Sequence, residues 1–414
     1  MGLSSYTYPT AVHDRFSHSL GVAYIVGVLF DNLNIPQDVE ISSHEGESIK
    51  LEKKQIKLLL QLSGLLHDIG HGPFSHAFEK ITQVDHEKMS KNIILNENGN
   101  IFPILSSIDD KILSKHSPWW IVKIITGGTF DSKSIWVKEL ISSQLDADRI
   151  DYLLRDAYMC GVNYASFDIK WLFQNIEIGN IKNEGDRPGL LINAKKGIHA
   201  VEAFIVSRYH MYEQVYFHKT TRSFELIVQA IFKRLKHLIN EGTINDSFFI
   251  NRNFLSFVNN NDDLNAFLSL DDFCLYTHFN HWIVNSNDLI LKELCEVLLH
   301  RKPYKLIKEI ENDVLLEYNT QRKIESFFKK EQKEYEYYFM EDVYSNIAYK
   351  DTYLLGKRTA EDAAHIWLKS SDNNLKEFAE VSPIVKSLRN NELKKRRGYV
   401  HRDYCEQIKE IIKK

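Results

Sequence analysis

The chain has 414 residues, 43% of them hydrophobic, enough to bury one large core and carry a smaller appendage. Gly and Pro number only 18 and 8, and this shortage of breakers beside abundant Leu, Ile, Lys and Glu predicts a mainly α protein. A formal net charge of −4 excludes the basic footprint of a bulk nucleic-acid binder, so nucleic acid is not a favoured partner.

Cys160, Cys274, Cys295 and Cys405 are widely spaced with no CxxC pair, which suggests reduced, buried thiols rather than a disulfide framework. The first residues show no secretory pattern, and the apolar stretch Leu20 to Phe30 is too short to span a bilayer. These features predict a cytoplasmic protein with no membrane partner.

In chain order, His18 to Leu33 and Leu51 to His67 place apolar residues at helical spacing. Gly70, Gly72 and Pro73 break the second helix, and short helices are expected at Ser75 to Ile81 and His86 to Leu95. The run Ile135 to Met159 reads as helix and carries Asp146, Asp148, Asp151 and Asp156. Ile198 to Leu238 reads as one or two further helices rich in Arg, Tyr and His. Past residue 240 the pattern changes: Glu334 to Phe339 and His365 to Leu368 favour strands, and Asn259 to Asp263 a loop. The division expected is a helical core over 1–240 and an α+β C-terminal region over 241–414. Lys394 to Arg397 reads as a solvated basic face, with nucleotide or nucleic-acid contact as the minority reading.

The sharpest local signal is His67-Asp68, at the end of an apolar helix and before a Gly/Pro break, where side chains can face a cavity. With His18 and Asp148 it makes a set of imidazoles and carboxylates suited to Fe, Mn, Zn or Ni. Taken singly, each of the four is as readily a capping or surface group; the set in these contexts points to a metal. Such an ion lowers the pKa of bound water to about 7 and polarises phosphoryl oxygens. Around it stand His71, the pair His76 and Glu79 on one helical face, and His86, candidates for acid/base work. Arg15, Arg149, Arg208 and Lys219, interleaved with Tyr152, Tyr212, Tyr216 and His218, supply phosphate donors and stacking surfaces. For Arg208 and Lys219 the residues alone leave ordinary surface charge equally open.

Four ordered blocks carry a resemblance: His13 to Gly21, Leu66 to His76, Asp146 to Asp156, and Arg208 to Lys219. Together they resemble the HD-domain deoxynucleoside triphosphate triphosphohydrolases, in particular the branch of the sterile-alpha-motif and HD-domain protein. Fainter similarity at Arg301 to Lys305 extends the likeness to nearly the whole chain. The resemblance implies an HD helical-bundle core and hydrolysis of a dNTP to deoxynucleoside and inorganic triphosphate. It implies His18, His67, Asp68 and Asp148 as metal ligands, and His71, His76, Glu79 and His86 as the catalytic group. Arg15, Arg149, Tyr152, Arg208 and Lys219 would hold the triphosphate, with magnesium as a further ion on it. Asp156 would accept from the sugar 3′-hydroxyl, with Tyr212 and Tyr216 lining the sugar or base pocket. Arg301 and Lys305, with Lys196 as a lesser candidate, match part of a regulatory nucleotide site between subunits of a dimer or tetramer.

Two departures bear on these expectations. The chain begins where family members already have a preceding segment, so nucleotide activation and sugar selection are open. Tyr212 stands where His is frequent. The alternatives are an HD phosphohydrolase acting on a monophosphate or cyclic nucleotide, and a non-catalytic HD protein that only binds nucleotide or nucleic acid.

Overall fold

Short acidic side chains set where the helices begin. The computed structural model describes residues 2–43, 45–127, 134–182, 186–244, 248–311, 314–346, 349, 365–389 and 393–413. Asp14 caps helix α1 (Arg15–Asn32) by accepting from the Ser17 amide at 2.8 Å. A hairpin of β1 (Asp38–Ser42) and β2 (Ser48–Glu52) leads into α2 (Lys53–Leu66). Helices α3 (His76–Thr82), α4 (His86–Ile94), α5 (Ile101–Ser106), α6 (Ser117–Ile125), α7 (Ile135–Glu139), α8 (Ala147–Cys160) and α9 (Ile169–Gln174) follow.

The helix expected over Ile135 to Met159 is two helices. Asp146 divides it: its carboxylate takes the amides of Ser143 at 2.8 Å and Arg149 at 2.7 Å, capping α8 rather than letting α7 continue. Likewise Ile198 to Leu238 divides into α10 (Ile198–Met211) and α11 (Lys219–Asn240), separated by a π-helical turn at Tyr212–Tyr216. Between α9 and α10 lies the hairpin β3 (Ile176–Ile181) and β4 (Arg187–Asn193).

Helices α12 (Arg252–Asn259), α13 (Leu264–Leu268), α14 (Asp272–Asn285) and α15 (Leu289–Leu299) follow, then β5 (Lys305–Glu311) and α16 (Tyr318–Lys330). The strand expected at Glu334 to Phe339 starts only at its last residue. A helical turn α17 (Tyr335–Tyr338), closed by the Tyr337 amide donating to the Glu334 carbonyl at 3.0 Å, precedes β6 (Phe339–Asn346). Strands β7 (Trp367–Lys369), β8 (Leu375–Glu377) and β9 (Leu393–Val400) complete the sheets, in the orders β3-β4-β7-β8 and β5-β9-β6. The fold is mainly α, a helical core with a few small sheets.

Two apolar cores organise these elements. Val22, Val26, Phe30, Leu59, Ile150 and Phe204 belong to the first, which locks α1 against α2 and α8. Phe224, Ile231, Phe279, Trp282, Leu298 and Phe328 belong to the second, around α11. Ile366 to Val385 contribute to the first core and Phe224 to Leu238 to the second, so the boundary expected near residue 240 does not coincide with the division between cores. Among the described residues no helix is long and apolar enough to cross a membrane.

The basic run expected to be a solvated face is in fact part of β9. Lys395 pairs with Glu213 at 2.8 Å, Arg396 with Glu341 at 2.8 Å, and the buried Arg397 with Glu309. Acidic neighbours on β5, β6 and the π-helical turn neutralise it, a pairing that linear sequence does not display. Arg222 on α11 ties the two layers together: it grips Asp342 of β6 through both carboxylate oxygens, Nε lying 2.9 Å from Oδ2. Asp342 is only 3% exposed, so Arg222→Ala strands a buried carboxylate. That substitution should lower the unfolding free energy by about 3–5 kcal/mol in urea titration; a loss under about 1 kcal/mol would contradict the pairing.

Candidate metal centre

Helix packing brings distant residues to one place. His18 lies one turn into α1, Asp148 in the first turn of α8, and His67 and Asp68 at the C-terminal end of α2. His18 Nε2 is 3.0 Å from Asp148 Oδ1 and 3.8 Å from Asp68 Oδ2. His67 Nε2 is 3.4 Å from Asp68 Oδ1 and 3.5 Å from Asp148 Oδ1.

The orientation of both rings follows from what lies behind them. His67 Nδ1 is 2.8 Å from the Gly64 carbonyl oxygen, which can only accept, so Nδ1 carries the hydrogen. Its Nε2 is then a lone pair, buried and without a hydrogen bond. An orphaned imidazole nitrogen aimed at two carboxylates is costly in a bare core and expected of a metal ligand. One ligand atom from each of His18, His67 and Asp68 lies within 4.8 Å of the others. The donor set therefore fits a divalent transition ion, with Asp148 Oδ1 alongside, 3.0 Å from His18 Nε2 and 3.5 Å from His67 Nε2.

Electrostatics favour the charged carboxylates despite burial. Burial opposes ionisation of Asp148, but the hydrogen bond to His18 and the neighbouring His67 ring hold it well below the usual carboxylate range. Asp68 is held low in the same way, burial being outweighed by His67 and Arg15. For His18, burial disfavours the cation, yet the hydrogen bonds to Asp148 and Asp151 push it up to about 10. The cluster is thus a strongly cation-seeking pocket.

The second layer assembles beside it. His71 Nε2 is 3.6 Å from Asp68 Oδ1, and the His71 ring stacks on His86 at 4.0 Å and 10°. His86 Nδ1 is 2.9 Å from Glu79 Oε1. Gly70 permits this approach: a Cβ there would sit 2.1 Å from the His86 carbonyl oxygen and 2.4 Å from the Ser90 amide. His76 opens α3, and its side chain lies outside the described residues.

The expected phosphate ligands divide. Arg15 donates from Nε to Ser75 Oγ at 3.0 Å and pairs through Nη1 with Asp68, at the cluster itself. Arg149 turns to Asp146 and the Ser143 carbonyl. Arg208 is buried, its guanidinium 5.7 Å from the Tyr212 ring centroid. Tyr216 meets both Tyr212 at 5.0 Å and Tyr152 at 6.1 Å, and donates to Asp156 Oδ2 at 2.8 Å. Lys219 is exposed at the start of α11.

Arg301 and Lys305 lie elsewhere. Arg301 donates to the Ser5 carbonyl at 3.0 Å and packs over the Tyr6 ring, tying down the first residues of the chain, while Lys305 pairs with Val400 in the sheet.

Three residues at the site fell within the sequence blocks but were given no role there. His13 Nε2 contacts Asp156 Oδ1 at 2.6 Å, Asp151 accepts from His18 Nδ1 at 2.8 Å, and Arg155 grips Asp151. Asp151 was findable, since it stands one helical turn beyond Asp148 on α8; nothing in the spacing flags His13. The ligand assignment predicts that natively purified protein retains about one transition-metal ion per chain and that His67→Ala loses it by elemental analysis. Equal metal content in the variant would contradict the assignment.

Known proteins resemble this chain over most of its length. Residues 15–156 match the HD domain and residues 179–252 the HD associated region. The uncharacterized protein YwfO of Bacillus subtilis is 33% identical over 390 residues, 94% of this chain and 81% of that protein. A phosphohydrolase from Bacteroides thetaiotaomicron superposes with a TM-score of 0.74 at 26% identity, covering 97% of this chain and 91% of that one. The deoxynucleoside triphosphate triphosphohydrolase SAMHD1 of Xenopus laevis is 27% identical over 337 residues, 72% of this chain and 48% of that protein. By its matched domains, its relatives and its His/Asp cluster, this chain belongs to the HD-domain family of metal-dependent phosphohydrolases.

Proposed function

We propose that this phosphohydrolase cleaves deoxynucleoside triphosphates to deoxynucleoside and inorganic triphosphate. The observation that carries this reading is a row of side chains on one face of α8: Asp148, Tyr152 and Asp156 recur every fourth residue. At 1.5 Å per residue they span about 12 Å, from the metal cluster at one end to a sugar-sized polar array at the other. There Tyr216 and His13 each hold one oxygen of the Asp156 carboxylate. A nucleotide lying along this face puts its phosphates near Asp148 and its sugar near Asp156. The similarity to SAMHD1, a deoxynucleoside triphosphate triphosphohydrolase by name, supports the same substrate class.

In this reading His18, His67, Asp68 and Asp148 hold the ion. A divalent ion bound there supplies positive charge and Lewis acidity beside the α-phosphate oxygens. Arg15, reaching the cluster's edge, and Arg208 and Lys219 neutralise the triphosphate, while Arg149, anchored to Asp146, adds to the local positive field. Tyr152 and Tyr212 flank the sugar through their contacts with Tyr216. Glu79 holds His86 at Nδ1, and as the imidazolium that ring would pass its Nε2 proton to the departing 5′-oxygen while water attacks the α-phosphorus and gives up its own proton to bulk solvent. His71, stacked on His86, fixes the plane of that ring, and His76 belongs to the same group. We also assign Arg301 and Lys305 to a regulatory nucleotide surface of a homo-oligomer, on the resemblance alone.

The test is to incubate Mn- or Fe-loaded protein with each dNTP, singly and mixed, and separate the products by ion exchange. Equimolar deoxynucleoside and tripolyphosphate are expected, and Asp148→Ala should abolish both while the protein stays folded. Release of orthophosphate or pyrophosphate, or hydrolysis of monophosphates or cyclic nucleotides alone, would overturn the substrate. Tight nucleotide binding with no turnover, unchanged in Asp148→Ala, would make this a binding protein.

A further inference from the structure

The metal-facing nitrogen of His18 depends on a chain of residues with no assigned role. Behind the ring, Nδ1 lies 2.8 Å from Asp151 Oδ2. Asp151 is 5% exposed, and its carboxylate is gripped by Arg155 from the next turn of α8, Nε reaching Oδ2 at 2.8 Å and Nη2 reaching Oδ1 at 2.9 Å. Two guanidinium donors keep the carboxylate ionised, so it can only accept, and His18 must carry its hydrogen on Nδ1. Nε2, which faces Asp148 Oδ1 at 3.0 Å and Asp68 Oδ2 at 3.8 Å, is then the nitrogen that gives up its proton when a cation binds. His67 has a neutral carbonyl in the corresponding position, so of the two imidazoles His18 has the stronger electron-donating partner and is the more basic ligand.

The space for this arrangement comes from a glycine. Gly21 lies three residues beyond His18 on the same face of α1, where α1 packs on α8. A Cβ on Gly21 would fall 1.9 Å from Asp151 Oδ1 and 2.3 Å from Arg155 Nη2. Both atoms belong to the Asp151–Arg155 ion pair, so a side chain at Gly21 forces that pair to shift. The glycine at the end of His18-Ser19-Leu20-Gly21 thus has a steric reason.

We propose that Asp151 is the positioning residue that sets the tautomer and donor strength of His18, and that Arg155 and the gap at Gly21 hold it in place for that task. The inference concerns cation binding and is independent of which nucleotide is cleaved, so it stands or falls apart from the substrate assignment.

The test measures Mn²⁺ and Zn²⁺ affinity of the full-length protein by competition with a chromophoric chelator, alongside circular dichroism. Asp151→Asn keeps the shape but loses the charge, and should weaken cation binding about 10- to 100-fold with the helical spectrum unchanged. Gly21→Ala removes no ligand and should weaken binding at least as much. If it acts through Asp151, adding Asp151→Asn to it should cost far less than the product of the two single effects. Should Gly21→Ala fail to fold, Asp151→Asn and Arg155→Gln decide, the latter expected to lose affinity in the same direction. Arg396→Gln, which breaks an ion pair in the distant sheet, should leave affinity unchanged. Wild-type affinity in Asp151→Asn would overturn the proposal, as would fully multiplicative losses in the double variant or a wild-type protein that takes up neither ion.

Discussion

Everything at this site depends on two imidazole rings being held from behind. Each has its Nδ1 against an atom that can only accept, the Gly64 carbonyl for His67 and the Asp151 carboxylate for His18. That constraint leaves both Nε2 atoms directed at Asp68 and Asp148, as the nitrogens open to an arriving cation. The helices serve this geometry. α1, α2 and α8 pack around one apolar core, and the ligands sit where those helices meet. The tightness of the core, with Val22, Val26, Leu59 and Ile150 fully buried, transmits position to the polar cluster above it.

The layers around the cluster extend the same logic. Gly70 lets the loop after His67-Asp68 touch the start of α4, which places His71 on His86 and His86 on Glu79. Along α8, helical periodicity converts one sequence block into a ruler, with Asp148 at the metal end and Asp156 at the end where Tyr216 and His13 converge. The π-helical turn at Tyr212–Tyr216 gives α10 and α11 an extra residue of freedom, and Tyr216 reaches Asp156 from it. The His/Asp cluster, the His71, His86 and Glu79 group and the polar array around Asp156 thus stand next to one another, the arrangement the proposed triphosphohydrolase chemistry requires.

Much of this was legible in the sequence, for physical reasons. His67-Asp68 stands between an apolar helix and a Gly/Pro break, and such contrasts survive in one dimension. The same is true of Asp148 within a charged helix and of His18 near a helix start. Element boundaries failed where local hydrogen bonds decide: Asp146 caps α8 after α7 has stopped at Glu139, and the Tyr337 amide bonds back to Glu334 in a helical turn where β-formers suggested a strand. The basic run Lys394 to Arg397 misled because its partners, Glu213, Glu309 and Glu341, are 88 to 182 or 55 residues away in the chain. His13 was invisible for the same reason, its significance lying in one contact across 143 residues. Asp151 shows the opposite case, a residue whose helical spacing from Asp148 was available but whose role appears only once its partner on another helix is seen.

The most direct test of the account is X-ray absorption fine structure at the metal edge of the ion-loaded protein. The account predicts a first shell of nitrogen and oxygen donors with outer-shell scattering from two imidazole rings, one of which disappears when His18 is replaced. A first shell of oxygen alone, with no ring scattering, would contradict it.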